Sequence, residues 1–207
     1  MKLNWAERWA VNNPLRVIQQ TLEIAWMRRA LEARPGGRFL EVGCGRGVGA
    51  RLVMRFFGPD LLHATDLDLL MVKRARSYPG PGRDRKVRLV VADAGSLPYP
   101  PSTFNAVFGF GVMHHVVDWR EALRELARVL VPGGYYFFEE LFPPVYANYL
   151  TKRILLHPRE DRFDSQKWRE ALDEAGFVLV RSLENSKVGA IGIAKLSPHS
   201  NGHEDAR

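Results

Sequence analysis

With one cysteine in 207 residues, the chain cannot hold an internal disulfide, and the scaffolds that depend on disulfides are excluded. It also lacks any apolar run near the roughly 20 residues that a bilayer span needs. The N-terminus, Met1-Lys-Leu-Asn-Trp-Ala-Glu-Arg8, has no apolar core of the secretory-signal kind. The expectation is a cytoplasmic chain. His and Cys nowhere recur at metal-ligand spacing, so no metal site is expected. Internal repeats and low-complexity tracts are missing too.

What is present is an ordinary globular composition, 46% hydrophobic and 26% charged, at a length that suits one domain. The net charge of +7 invites a nucleic-acid reading, but the distribution of charge opposes it. Between Lys73 and Arg88, seven basic residues face only Asp84. This segment links a helix to the next strand. In an open α/β sheet such links lie at the edge away from the ligand. The segment is therefore read as a solvated or docking face, and nucleic acid is disfavoured as a partner.

The most informative stretch is Phe39-Leu-Glu-Val-Gly-Cys-Gly-Arg-Gly-Val-Gly-Ala50. Phe39–Val42 reads as a buried strand. Gly43, Gly45 and Gly47 allow a turn that a Cβ would obstruct, and residues 48–57 have helical apolar spacing. Such a turn presents backbone N–H groups and a helix N-terminus to a ligand. An acid then closes each of the next two strands: Asp66 after 61–65 and Asp93 after 87–92. Asp68 is the expected cap of the following helix. Cys44, inside the loop, reads as a small buried filler.

Strands near 39–43, 61–65, 87–92, 105–110 and 134–140 alternate with helices near 48–57, 67–77, 119–130 and 164–175. This predicts a doubly wound, mostly parallel sheet. Strands at 178–183 and 189–194 are separated by five residues, too few for a helical crossover, so they should pair antiparallel. Before the core, residues 1–35 read as one or two amphipathic helices. Trp5 and Trp9 share a face, Pro14 suits a first turn, and Leu15, Ile18, Leu22, Ala25 and Arg29 recur at helical spacing. Residues 197–207 read as a tail.

The glycine loop, Asp66, Asp93-Ala94, Leu97-Pro-Tyr-Pro-Pro-Ser-Thr-Phe-Asn-Ala-Val107, Met113-His-His-Val116, Ala122–Gly134 and Ala175-Gly-Phe177 resemble the class I S-adenosylmethionine-dependent methyltransferases. The likeness covers roughly residues 36–196 and is nearest the quinone-biosynthesis and other small-molecule methyltransferases. It implies a Rossmann-like, seven-stranded α/β sheet with an antiparallel closing hairpin and N-terminal helices. It implies S-adenosyl-L-methionine as cofactor, with Glu41 at the amino end of its methionine moiety. Gly43, Cys44, Gly45 and Gly47 would form the loop, Asp66 would meet the ribose hydroxyls, Asp93 and Ala94 the adenine, and Leu67 and Phe110 would also contact the cofactor. Asn105 stands where many members carry Asp, and no role is assigned to it.

A nicotinamide enzyme is the competing reading, since Gly45-Arg-Gly-Val-Gly-Ala50 fits G-x-G-x-x-A. It leaves Glu41, Asp93, the paired histidines and the hairpin unexplained. His114 and His115 follow the fourth strand and are the candidate bases, with packing as the alternative role; His157 is a weaker candidate. Glu139 and Glu140 alternate at the end of the fifth strand, so one at most faces the pocket. Neither the Asn- or Asp-Pro-Pro-aromatic motif of amino-group methylases nor a catalytic thiol is present. Residues 141–163 read as a lid which, with the N-terminal helix, brings Phe142, Tyr146, Tyr149, Trp5 and Trp9 over the cofactor. An apolar or aromatic small molecule is the expected partner. Peripheral membrane contact through the N-terminal helix, a monomer or homodimer, an RNA or protein substrate and a non-catalytic binding module stay as alternatives.

Overall fold

A computed structural model describes residues 13–78, 84–146 and 161–198. Trp5, Trp9, Tyr149, His157 and the tail beyond 198 lie outside the described residues. The elements run α1 (Pro14–Arg29), β1 (Arg38–Val42), α2 (Val48–Phe57), β2 (Leu61–Asp66), α3 (Leu69–Ser77), β3 (Val87–Val91) and β4 (Phe104–Phe110). Then follow a 3-10 turn (Met113–His115), α4 (Trp119–Val129), β5 (Leu130–Leu141), α5 (Pro143–Tyr146), α6 (Ser165–Glu174), β6 (Phe177–Asn185) and β7 (Gly189–Leu196). The seven strands form one sheet in the order β3-β2-β1-β4-β5-β7-β6. β7 runs antiparallel to both β5 and β6; the other pairs are parallel.

β1 is apolar on both faces because helices cover both, and Phe39, Leu40 and Val42 are buried. Against one face, α4 lays Trp119, Leu123 and Leu126, and α6 lays Trp168, onto Tyr136 and Phe138. Against the other, Ile24 and Met27 of α1 and Phe57 of α2 pack on Phe39, Phe108 and Phe137, the last two stacked at 4.5 Å. Truncating one of these phenylalanines to Ala is expected to cost about 3–5 kcal/mol. Asn105 has a structural task that the sequence did not disclose. Its Oδ1 accepts from Arg38 N at 3.0 Å, fastening the start of β1 to β4.

The predicted hairpin is present, and Glu139 and Glu140 do alternate: Glu139 faces α1 and Glu140 faces the 3-10 turn. Arg85, Lys86 and Arg88 lie at the amino end of β3, opposite the glycine loop. The stripe predicted to pack α1, however, lies outside: Leu15, Ile18 and Leu22 are 70%, 58% and 66% exposed. The buried face carries Gln20, Glu23, Ile24 and Met27 instead. Periodicity finds a helix; it does not say which face turns inward when polar side chains serve a site there. No helix among the described residues is long and apolar enough to cross a membrane.

Candidate functional site

Gly43, Gly45 and Gly47 have φ of +67°, +53° and +91°, the left-handed region that a side chain resists. A Cβ on Gly43 would collide with Val112, so the loop packs against the segment after β4. A Cβ on Gly45 would meet nothing within 4 Å and would project into open space. The loop is laced to the tip of β2. Gly45 N donates to Asp66 Oδ2 at 2.9 Å, and Cys44 N donates to Thr65 O at 2.8 Å. Asp66 Oδ1 accepts from Asp68 N at 2.8 Å, and Asp68 caps α3 through Leu70 N at 2.9 Å, as expected of it. Burial pushes the Asp66 carboxyl up, while its two backbone donors pull it down. Burial also pushes the Cys44 thiol well up, with the Glu41 and Asp66 charges adding, so this cysteine stays a neutral filler.

Glu41 reaches beneath the first turn of α2, where a backbone N–H of Ala50 donates to it. Gly49 makes the room: a Cβ there would overlap Glu41 Oε1. Its other oxygen, Oε2, is buried and has no hydrogen-bond partner. Desolvation, then the Asp66 charge, holds this carboxyl well above the usual range. An orphaned buried acid beside a second acid is costly by itself, and a cationic ligand relieves both groups.

The remaining predicted cofactor residues sit on the same sheet edge. Leu67 is exposed beyond β2, and Asp93 is exposed beyond β3, accepting from Gly95 N at 2.9 Å. Ala94 is half-buried beside it, and Phe110 closes β4 with its ring in the core. Adjacent tips of β1, β2, β3 and β4 thus place all ten predicted positions along one edge of the sheet, with Glu41 and the Phe110 ring buried there.

Next to Phe110, Gly111 marks a junction. A Cβ on it would lie 3.4 Å from Glu139 Oε2, 3.4 Å from His114 Cε1 and 3.9 Å from Arg16 Nη2. On one side, Arg16 of α1 pairs with Glu139 and, at 3.4 Å, with Glu23. On the other, Glu140 accepts from the backbone N–H groups of Val112, Met113 and His114, and from His114 Nδ1 at 2.8 Å. A proton on Nδ1 facing the carboxylate places the ring lone pair on Nε2. Tyr146 stacks on His114 at 5.4 Å, and Arg162 donates to the His114 carbonyl at 3.0 Å. His115 is half-buried, its ring 4.2 Å from that of His114.

Phe142 is fully buried, packed toward Phe163 in the core, and Tyr146 stacks on His114. Arg16 and Arg162 were missed because each acts across a long sequence separation; Gly49, close to Glu41 in sequence, was missed because the room it leaves for that side chain shows only in three dimensions. Glu140 was seen only as one of two alternating acids.

A sheet of this order, with a glycine turn after β1 and acids at the tips of β1, β2 and β3, defines a Rossmann-like methyltransferase fold. Residues 40–138 match the family described as "Methyltransferase domain". The chain is 30% identical to the fatty-acid O-methyltransferase of Mycolicibacterium smegmatis over 73% of this chain and 51% of that protein. It is 32% identical to the demethylmenaquinone methyltransferase of Corynebacterium urealyticum, over 60% of this chain and 50% of that protein. In structure it is similar to a SAM-dependent methyltransferase from Aquifex aeolicus, with a TM-score of 0.72 at 17% identity, over 94% of this chain and 100% of that one. The chain spans about half the length, or less, of the curated relatives it matches.

The chain is similar to the S-adenosylmethionine-dependent methyltransferases in fold and, over residues 40–138, matches the methyltransferase domain in sequence, which makes S-adenosylmethionine the cofactor to set against the site. The residues present fit that group. Glu41 Oε2 is an unsatisfied acceptor for a cationic amine, and the open side of Gly45 leaves the close approach that a nucleoside needs.

Proposed function

We propose that this chain transfers a methyl group from S-adenosylmethionine to an O, N or C atom of an apolar or aromatic small molecule. The observation that carries the reading is the convergence at Gly111 of the glycine-loop side of the site, a histidine held by a buried carboxylate, and an ion pair from α1. When bound, S-adenosylmethionine supplies an electrophilic methyl carbon on a sulfonium whose leaving group is a neutral thioether. Little acid chemistry is then asked of the protein. Its residues orient two reactants and keep water out.

Glu41, the loop from Gly43 to Gly47, and Asp66 with Leu67 would hold the cofactor; Asp93, Ala94 and Phe110 would border its base. His114, oriented by Glu140, accepts a proton at Nε2 where the acceptor carries one. α1 and α5 would cover the acceptor side. The apolar acceptors named for the relatives support an apolar substrate. The basic face at the amino end of β3 is turned away from the crevice and lends no support to a nucleic-acid substrate.

Incubation with methyl-tritiated S-adenosylmethionine and fractionated small-molecule extracts tests the reading. Label in an organic-soluble product, lost with Asp66→Ala, is the expected result. Label confined to RNA or protein would replace the substrate class. Binding of S-adenosylhomocysteine without any transfer would make the chain a non-catalytic module.

A further inference from the structure

Beside the Gly111 junction, the tip of the β6–β7 hairpin and α1 border an open cavity of about 280 Å³. Its walls are apolar: Leu141, Leu183, Val188 and Ile191. Leu183 and Val188 at its mouth are 55% and 52% exposed. Its inner end is ionic, formed by Glu139 and by Glu23, with Arg16 joining the two acids. Glu139 is also the group that meets Gly111, so one carboxylate borders both the cavity and the junction beside His114.

The charge at that inner end is unbalanced toward acid. Among the described residues, Arg16 is the cation in contact with Glu139 and Glu23. Two further carboxylates border the cavity and are engaged elsewhere: Glu140 with His114, and Glu184 with Arg169. An incoming carboxylate would have to lie beside Glu139 and Glu23, or displace Glu139 from Arg16 and strand it in a dry site. A hydroxyl instead donates to Glu139 without bringing charge. An amine pairs with either acid. Desolvation and the neighbouring Glu139 raise the Glu23 carboxyl to about 7, so near neutrality this end is neutral or negative and in neither state invites an anion.

We propose that this cavity is the methyl-acceptor site, and that it selects an apolar or aromatic molecule whose reacting end is an uncharged hydroxyl or an amine while excluding carboxylates. The inference rests on the methyltransferase reading above. Leu141, Val188 and Ile191 hold the body of the acceptor, and the Arg16–Glu139 pair turns its polar end toward Gly111 and His114. Glu139 is the residue that sets specificity.

The test uses the full chain saturated with S-adenosylhomocysteine, titrated calorimetrically with para-butylphenol, para-butylbenzylamine and para-butylbenzoate. The phenol and the amine are expected to bind about tenfold or more tighter than the benzoate. Glu139→Gln should raise benzoate affinity about tenfold and narrow the gap. Val188→Trp and Ile191→Trp, which fill the cavity from the hairpin turn and from β7, should remove binding of the probes while the S-adenosylhomocysteine titration is unchanged. Equal affinity for the benzoate, no measurable binding of any probe, or undiminished binding in both tryptophan variants overturns the proposal. Failure of S-adenosylhomocysteine itself to bind overturns the underlying reading, a separable outcome because it is measured first.

Discussion

Glu41 offers the sharpest test of the cofactor site, because its replacement by Gln should move stability and binding differently. In the free protein the carboxyl is buried, with one oxygen receiving a backbone N–H at the start of α2 and the other receiving nothing. Its pKa is held well above the usual value by desolvation and by Asp66. A raised acid contributes stability at low pH that is lost as pH climbs from about 4.3, the unfolded value, through the folded value. Near the lower part of that window the group is protonated and nearly isosteric with an amide. Glu41→Gln should then leave the stability of the free chain within about 1 kcal/mol, and at higher pH should increase it.

Binding should respond in the opposite sense. A cationic amine at Oε2 makes a hydrogen bond with charge on both partners, worth about 1.5–3 kcal/mol, so the variant should bind S-adenosylhomocysteine about tenfold to a hundredfold more weakly. The amine also favours the carboxylate and draws its pKa down, so binding releases a proton in the window between bound and free values. Affinity should therefore rise with pH through that window. Calorimetry in two buffers of different ionisation enthalpy reads proton release directly. Undiminished affinity in the variant, or the same proton release in variant and wild type, would refute this account of Glu41.

Other perturbations test neighbouring parts of the site. Gly45→Val should fold, at a cost of about 1–2 kcal/mol for a left-handed residue with a side chain, yet show no S-adenosylhomocysteine binding by calorimetry. His114→Ala should lower turnover while cofactor affinity is kept; unchanged turnover in the methyl-transfer assay would remove its role as base. Glu140→Gln, which sets an amide N–H against N–H donors that the carboxylate now satisfies, should destabilise the chain by about 2–4 kcal/mol in urea denaturation and reduce turnover together with stability.

Local chemistry explains what could be read along the chain. Three closely spaced glycines specify a turn through the left-handed region that no other residue enters freely, and all three adopt it. The alternation of buried strands with amphipathic helices predicted the sheet, because each pattern has a period of its own. The short link between the last two strands dictated their antiparallel pairing. Asp68 could be assigned as a cap because it answers to a backbone N–H two residues on, whereas the backbone N–H groups that Asp66 accepts, one of them from the glycine loop, showed only in the structure.

Other features depended on neighbours distant along the chain. The inward face of α1 was decided by Glu139, 123 residues beyond Arg16, since the buried acid drew the polar stripe inward and left Leu15, Ile18 and Leu22 in solvent. Alternation alone separated Glu139 from Glu140, but only packing made one the partner of α1 and the other the holder of His114. Hydrophobic period, glycine and proline act through the backbone of their own segment, so the order of the elements and the shape of the glycine loop were legible along the chain. The polar end of the cavity exists only where α1, β5 and the closing hairpin meet, so it arises from packing between segments far apart in sequence.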